Sequence, residues 1–259
     1  MTRTHAVGYS GTVRVLVGTS GFSFKEWKGY FYPPKLPAAG MLRYYAERLP
    51  TVEINNTFYR MPTRKVLEAW AADVPPAFRF VIKASQRITH VRRLKDAGDS
   101  VTFLLDNVGV LGEKLGPVLF QLPPNLKKDV GLLRDFLGAL PAWPRAAFEL
   151  KHASWRDDEV LEALRARGAA LCLTDSDDAA EHDLRMDATA RWGYLRLRRV
   201  DYDEAALAAW AERLRAQPWD EAFVFFKHED AGKGPALAAR LSALLASTAA
   251  STPPAPPGG

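Results

Sequence analysis

At 259 residues, with 47% hydrophobic and 25% charged residues, the chain has the composition of a globular protein with a sizeable core, not of a disordered or fibrous one. The formal net charge of +5 favours anionic ligands without requiring nucleic acid, and the single cysteine, Cys172, excludes a disulfide framework and a cysteine-based metal site. No run approaches the roughly 18 apolar residues of a membrane helix, and residues 1–13 lack the apolar core of a secretion signal, so a cytoplasmic protein with no membrane partner is expected.

Residues 1–13 read as a flexible leader. Arg14 to Val17 form a first strand ending in Gly18-Thr19-Ser20-Gly21, followed by an aromatic loop over 22–32. A helix over 37–48 leads to a second strand, where Val52 and Ile54 alternate with Glu53 and Asn55 at the two-residue period of a strand. Asn56, Thr57, Phe58, Tyr59 and Arg60 follow, and Thr63 opens a helix that ends at Pro75-Pro76. The third strand, 78–83, runs through Lys83 to Ile88-Thr89-His90 and a basic loop holding Arg92, Arg93 and Lys95. A helix near 101–112 precedes strand four at 117–121, stopped by Pro123-Pro124. Asp129 starts a helix ending before Pro141, strand five is 146–150, Asp157 starts a helix to 167, and strand six is 169–174. After a loop from Asp175 to Asp178 come strand seven at 194–197, a helix over 203–217, strand eight at 222–226 and a last helix over 235–246. Residues 247–259, uncharged and rich in Ala, Ser, Pro and Gly, read as a disordered tail. Eight strands, nearly all followed by helices, predict an α/β fold with a single (β/α)8 TIM-type barrel over 14–246; a doubly wound open sheet is the alternative.

Such barrels draw reactive groups from the C-terminal ends of several strands. That would gather Thr19 and Ser20; Glu53, Asn55, Asn56 and Tyr59; Lys83 and His90; and Gln121 at one rim. The later strands add Glu149, Lys151, His152 and Trp155; Asp175; Arg196 and Arg198; and Lys227, His228 and Glu229. Glu53 and Glu149 are the candidate acid–base pair, because carboxylates in different environments can be driven to different pKa values. The alternative is structural: an ion pair from Glu53 to Lys83, or from Glu149 to Lys227. Lys83 and Lys227 each close an apolar strand and are candidate charge-neutralising or desolvated amines. Glu149, His152, Asp175, His228 and Glu229 include metal-ligand types, but no compact ligand spacing joins them, so no metal or other cofactor is expected. Gly232 and Gly234 before Pro235 predict an anion site at the start of the last helix, with Lys233 and Arg198 nearby; a plain turn and cap is the alternative. The aromatics Phe22, Trp27, Tyr30, Phe31 and Tyr32 read more readily as a loop's own small core than as a stacking platform.

Several motifs resemble those of the YecE-like family (domain of unknown function 72). They are Gly18-Thr19-Ser20-Gly21 with Trp27 and Phe31-Tyr32-Pro33, the run from Val52 to Tyr59, Ile88-Thr89-His90, Lys114-Leu115-Gly116, the run from Phe120 to Pro124, and Glu149 with His152, Ser154 and Trp155. The resemblance covers about 14–246 and implies a barrel of the triosephosphate-isomerase type, in a family loosely described as sugar-isomerase-related and without an assigned reaction. The departures are late: Lys151 where the family leads us to expect Arg, Arg198-Arg199 in place of His-Gly, and Lys227 to Asp230 in place of Asn-Asn-Asp.

These observations point to a metal-independent barrel enzyme acting on a small polar, anionic or sugar-like molecule, such as a sugar phosphate or nucleotide fragment. Hydrolysis and proton-transfer isomerisation both stay open. The second reading is a non-catalytic nucleic-acid or nucleotide binding module contacting phosphates through Arg92, Arg93, Lys95, Arg196, Arg198 and Arg199. A metal-dependent, sugar-isomerase-like enzyme is the third.

Overall fold

The computed structural model describes residues 13–179 and 182–247. Strands β1 (Arg14–Ser20), β2 (Thr51–Ile54), β3 (Arg79–Lys83), β4 (Leu115–Leu122), β5 (Ala146–Leu150), β6 (Ala170–Asp175), β7 (Trp192–Leu197) and β8 (Glu221–Phe226) each pair in parallel with the next. β8 closes on β1 in a register running from Arg14 opposite Glu221 to Thr19 opposite Phe226. The sheet is therefore a closed barrel, which removes the open-sheet alternative. No helix of the described residues is long and apolar enough to cross a membrane.

Among the described residues seven α-helices cover the outside: α1 (Met41–Ala46), α2 (Arg64–Asp73), α3 (Gly98–Val108), α4 (Val130–Ala139), α5 (Asp158–Ala166), α6 (Glu204–Arg215) and α7 (Lys233–Ser247). Side chains of Thr63, Asp129, Asp157 and Asp203 accept hydrogen bonds from the first-turn amides of α2, α4, α5 and α6, so each helix begins where its cap stands. Several expected bounds shift. The helix expected over 37–48 is six residues of α1 preceded by a 3-10 turn at Ala38–Gly40. α3 stops at Val108 because the following stretch needs Gly112 at φ +55. β4 starts two residues early, and its register with β3 slips between Phe80 and Ile82; Pro117, which has no amide to give the ladder, lies at that slip. The described residues between β6 and β7 contain no helix. The expected leader and tail lie almost wholly outside the described residues.

Alternation along the strands sorts side chains into two sets. Val17, Val52, Ile82, Phe120, Phe148, Leu195 and Val224 join the large cluster packed under the helices. Leu16, Val81, Leu119, Ala147, Cys172, Tyr194, Phe223 and Phe225 form a separate cluster that plugs the barrel interior. Gly18 keeps β1 against β2, since a Cβ there would stand 2.0 Å from the Thr51 carbonyl oxygen. The next inward positions toward the strand C-termini are polar: Ser20, Glu53, Lys83, Gln121, Glu149 and Arg196.

Candidate functional site

The floor of the barrel mouth is one connected set of buried polar groups. Arg196, 3% exposed, spans two carboxylates: Nη2 stands 3.0 Å from Glu53 Oε1 and Nη1 stands 2.8 Å from Glu149 Oε2. Glu53 also accepts from Ser20 Oγ at 2.8 Å, Asn55 Nδ2 at 3.0 Å and Tyr194 Oη at 2.6 Å. Glu149 accepts from Gln121 Nε2 at 2.7 Å, and Gln121 Oε1 in turn accepts from Lys83 Nζ at 2.8 Å. The Lys83 ammonium lies 4.2 Å from the centre of the Phe58 ring. One chain of contacts thus runs from Lys83 through Gln121, Glu149 and Arg196 to Glu53.

Electrostatics separates the roles. Burial pushes the Glu53 carboxyl up, but the Arg196 charge and the hydrogen bonds from Tyr194 and Ser20 outweigh it and hold it below the ordinary value. Glu149 is likewise buried yet held low by Arg196, Lys151 and Gln121. Both are therefore ionised and paired with Arg196, which suits neither a general acid nor an effective base near neutral pH. Lys83 moves the other way. Desolvation and the neighbouring Arg196 bring its ammonium down to about 8, against partial opposition from the two carboxylates. An amine there can exchange a proton near neutrality.

Above this floor opens a cleft of about 810 Å³. Its lining joins the cationic Lys83, Lys151, Arg196, Arg198 and Lys227 with the apolar and aromatic Phe22, Phe24, Leu42, Tyr59 and Trp70. Ser20, Asn55, Asn56, Gln121 and Glu229 complete its wall, and Asn55 Oδ1 has no protein partner. A second cleft, about 820 Å³, lies between α3 and α4 and contains none of the buried charged groups.

The structure thus brings Ser20, Glu53, Asn55, Asn56, Tyr59, Lys83, Gln121, Glu149, Lys151, Arg196, Arg198, Lys227 and Glu229 to the floor and walls of one mouth. His90 stands close by: burial, Lys83 and Lys151 together depress its pKa, and its Nδ1 pairs with Thr89. Other expected site residues are elsewhere. Thr19 points outward and bonds Tyr45 Oη at 2.8 Å. Trp155 is buried with its indole on the Leu126 carbonyl, and His152 pairs with Ser154. Asp175 faces α6, where Trp210 Nε1 donates to it at 3.0 Å. His228 Nε2 lies 2.6 Å from the Arg199 carbonyl.

Some of the expected placements differ in the structure. The structural alternative named an ion pair from Glu53 to Lys83, or from Glu149 to Lys227; the direct partner of both carboxylates is Arg196, because β7 presents its guanidinium between them. The anion site at the start of α7 is closed: Gly232 at φ +69 packs on Tyr30 and Phe31, Gly234 packs on Thr19 and Trp27, and Lys233 pairs with Asp201 at 3.0 Å. Among the phosphate contacts expected for a nucleic-acid module, Arg196 is buried in the mouth floor, whereas Arg199 is exposed and pairs with Asp177 at 3.3 Å. Among the described residues no three His, Cys, Asp or Glu side chains assemble as an ion-binding group, and Glu149, His152, Asp175 and His228 point to separate partners.

Two groups were missed. Tyr194 reads as the first residue of a strand, yet its hydroxyl closes the shell around Glu53. Phe24 lies in a loop run of aromatics, and only the positive φ of Gly21 lets its ring close on the end of β1.

Known proteins agree with this architecture. A family model described as protein of unknown function DUF72 matches residues 16–258. The chain is 29% identical over 183 residues to UPF0759 protein YunF of Bacillus subtilis, covering 64% of this chain and 62% of the relative. It is 29% identical over 141 residues to UPF0759 protein YecE of Escherichia coli, covering 52% of each. The matched stretch thus spans about half to three-fifths of those curated relatives. A crystal structure of a DUF72 family protein from Thermotoga maritima superposes with TM-score 0.80 at 27% identity, over 90% of this chain and 99% of that one. A DUF72 family protein from Enterococcus faecalis gives 0.74 at 20% identity, over 89% and 95%, a likeness of fold.

Proposed function

The chain belongs to the DUF72 family of proteins of unknown function, and we propose that it is an enzyme that takes a small anionic molecule into the barrel mouth and moves a proton on it with Lys83. The observation that carries this reading is the placing of Lys83, with Arg196, Lys151, Arg198 and Lys227, around one cleft whose two buried carboxylates are already engaged by Arg196. Positive potential in a low-dielectric cleft concentrates anions. Paired-carboxylate hydrolysis needs one carboxyl protonated and one free, and Glu53 and Glu149 are both held ionised. An amine near pKa 8 fits proton abstraction beside a carbonyl, with the cations taking up the charge that develops.

The test is deuterium wash-in. A panel of small phosphorylated and carboxylated carbonyl compounds is incubated with the protein in heavy water and followed by proton NMR. Loss of signal at the carbon next to the carbonyl is expected for at least one compound, abolished by Lys83→Met. Compounds that bind without any exchange, or exchange unchanged in the variant, would reject the role of Lys83.

A further inference from the structure

We infer that the anion accepted in the mouth carries a planar aromatic ring, so that the ligand class is a ring-bearing phosphate or carboxylate of nucleotide size, not a bare sugar phosphate. This rests on the anion reading above and supplies the other half of the ligand. The cleft is lined by two chemically distinct sets of groups. The cationic set comes from the ends of β3, β5, β7 and β8, and the aromatic set comes from the segments after β1 and β2 and from α2.

The aromatic set is not simply the β1–α1 loop's own core. Trp27 and Tyr32, at 0% and 1% exposed, make that core. Phe22, Phe24 and Trp70 are left partly uncovered and Tyr59 is 76% exposed, and all four line the same cleft. Phe22 meets Trp70 edge-on at 5.9 Å, and Tyr59 meets Phe58 edge-on at 4.9 Å. Phe24 sits against Gly21, where φ is +105 and a Cβ would come within 2.8 Å of the ring. Partly exposed rings lining the same cleft as five cationic side chains match a ligand with a flat π-face at one end and negative charge at the other.

The volume agrees. A phosphate alone would leave most of about 810 Å³ unfilled. Asn55 and Asn56 add side-chain amides to the same lining, polar groups that a heteroatom-bearing ring can use and an alkyl chain cannot.

Titration calorimetry on the full chain decides, with inorganic phosphate, ribose 5-phosphate, phenyl phosphate and adenosine 5′-monophosphate as probes. At least one ring-bearing probe should bind about tenfold or more tightly than ribose 5-phosphate, the gain that stacking of one base provides. Phe24→Ala should erase that gain and leave ribose 5-phosphate affinity within about twofold. Tyr59→Ala, at an exposed position that does not threaten folding, should lower ring affinity selectively if Phe24→Ala fails to fold. Ring probes no tighter than ribose 5-phosphate, or variants weakening all probes equally, would overturn the inference while leaving the anion reading intact. Failure of every phosphate to bind would overturn both.

Discussion

Arg196 holds two charges of opposite sign to its own in a space closed to water, and its removal is the most informative single change. Arg196→Met should cost about 3–5 kcal/mol in urea denaturation, because Glu53 and Glu149 would be buried without their counter-charge. Adding Glu53→Gln and Glu149→Gln should restore much of that loss; an unchanged midpoint in the single variant would contradict the assignment. Lys83 gives a signed pH dependence. Its folded pKa of about 8 lies below the roughly 10.4 of an unfolded lysine. The unfolded chain therefore binds more protons between those values, and stability should rise with pH across that window. Denaturation curves from pH 7 to 10 should show the wild type gaining stability relative to Lys83→Met as pH rises; a difference that stays constant across that range would contradict the lowered pKa. At this scale the sequence was half legible. Glu53 stood out because a carboxylate between Val52 and Ile54 must be paired or reactive. Its partner did not, because Arg196 lies 143 residues away and the contact exists only across a closed barrel.

Helix starts were more legible than helix ends. Thr63, Asp129, Asp157 and Asp203 were all read from the sequence as helix starts, and all four cap, because a side-chain oxygen meeting a free amide is a local event. Asp203→Ala should accordingly cost about 1 kcal/mol through the first turn of α6, measured as a lowered urea midpoint. Ends fixed by packing were not legible: nothing near Pro117 announces that β4 begins at Leu115 and slips against β3. Gly193 is a similar case. A Cβ there would stand 2.4 Å from the Trp219 ring, so Gly193→Ala should destabilise by at least about 1–3 kcal/mol, an over-packing penalty visible as a lower melting temperature. A neutral substitution would mean that Trp219 can swing away.

For the whole molecule, eight repeats of strand and crossover made the barrel readable, because a closed parallel sheet needs just that alternation. What fills it was not readable, since inward and outward sets on a fully buried strand are both apolar until the mouth is reached. The mouth sets the response of the fold to acid. Glu53 and Glu149 have pKa values below those of an unfolded chain, so their stabilisation is complete above an unfolded pKa near 4.3 and is lost as pH falls through the lower folded values. Stability should therefore drop steeply below about pH 4, and the triple variant that removes all three charges should lose part of that dependence.

Arg196 also has a mechanical meaning. Anchored on β7 and gripping β2 and β5, it is a strut across the open end of a hoop, joining three staves that are not neighbours in the sheet. A strutted rim cannot turn oval, so the entrance cannot widen by spreading its staves. The ligand proposed above would then be met by the segments hung on the rim, above all those carrying Phe22, Phe24 and Tyr59. Hydrogen exchange should show this division: amides at residues 53, 149 and 196 equally slow with and without a guest, and the change on loading confined to the hanging segments.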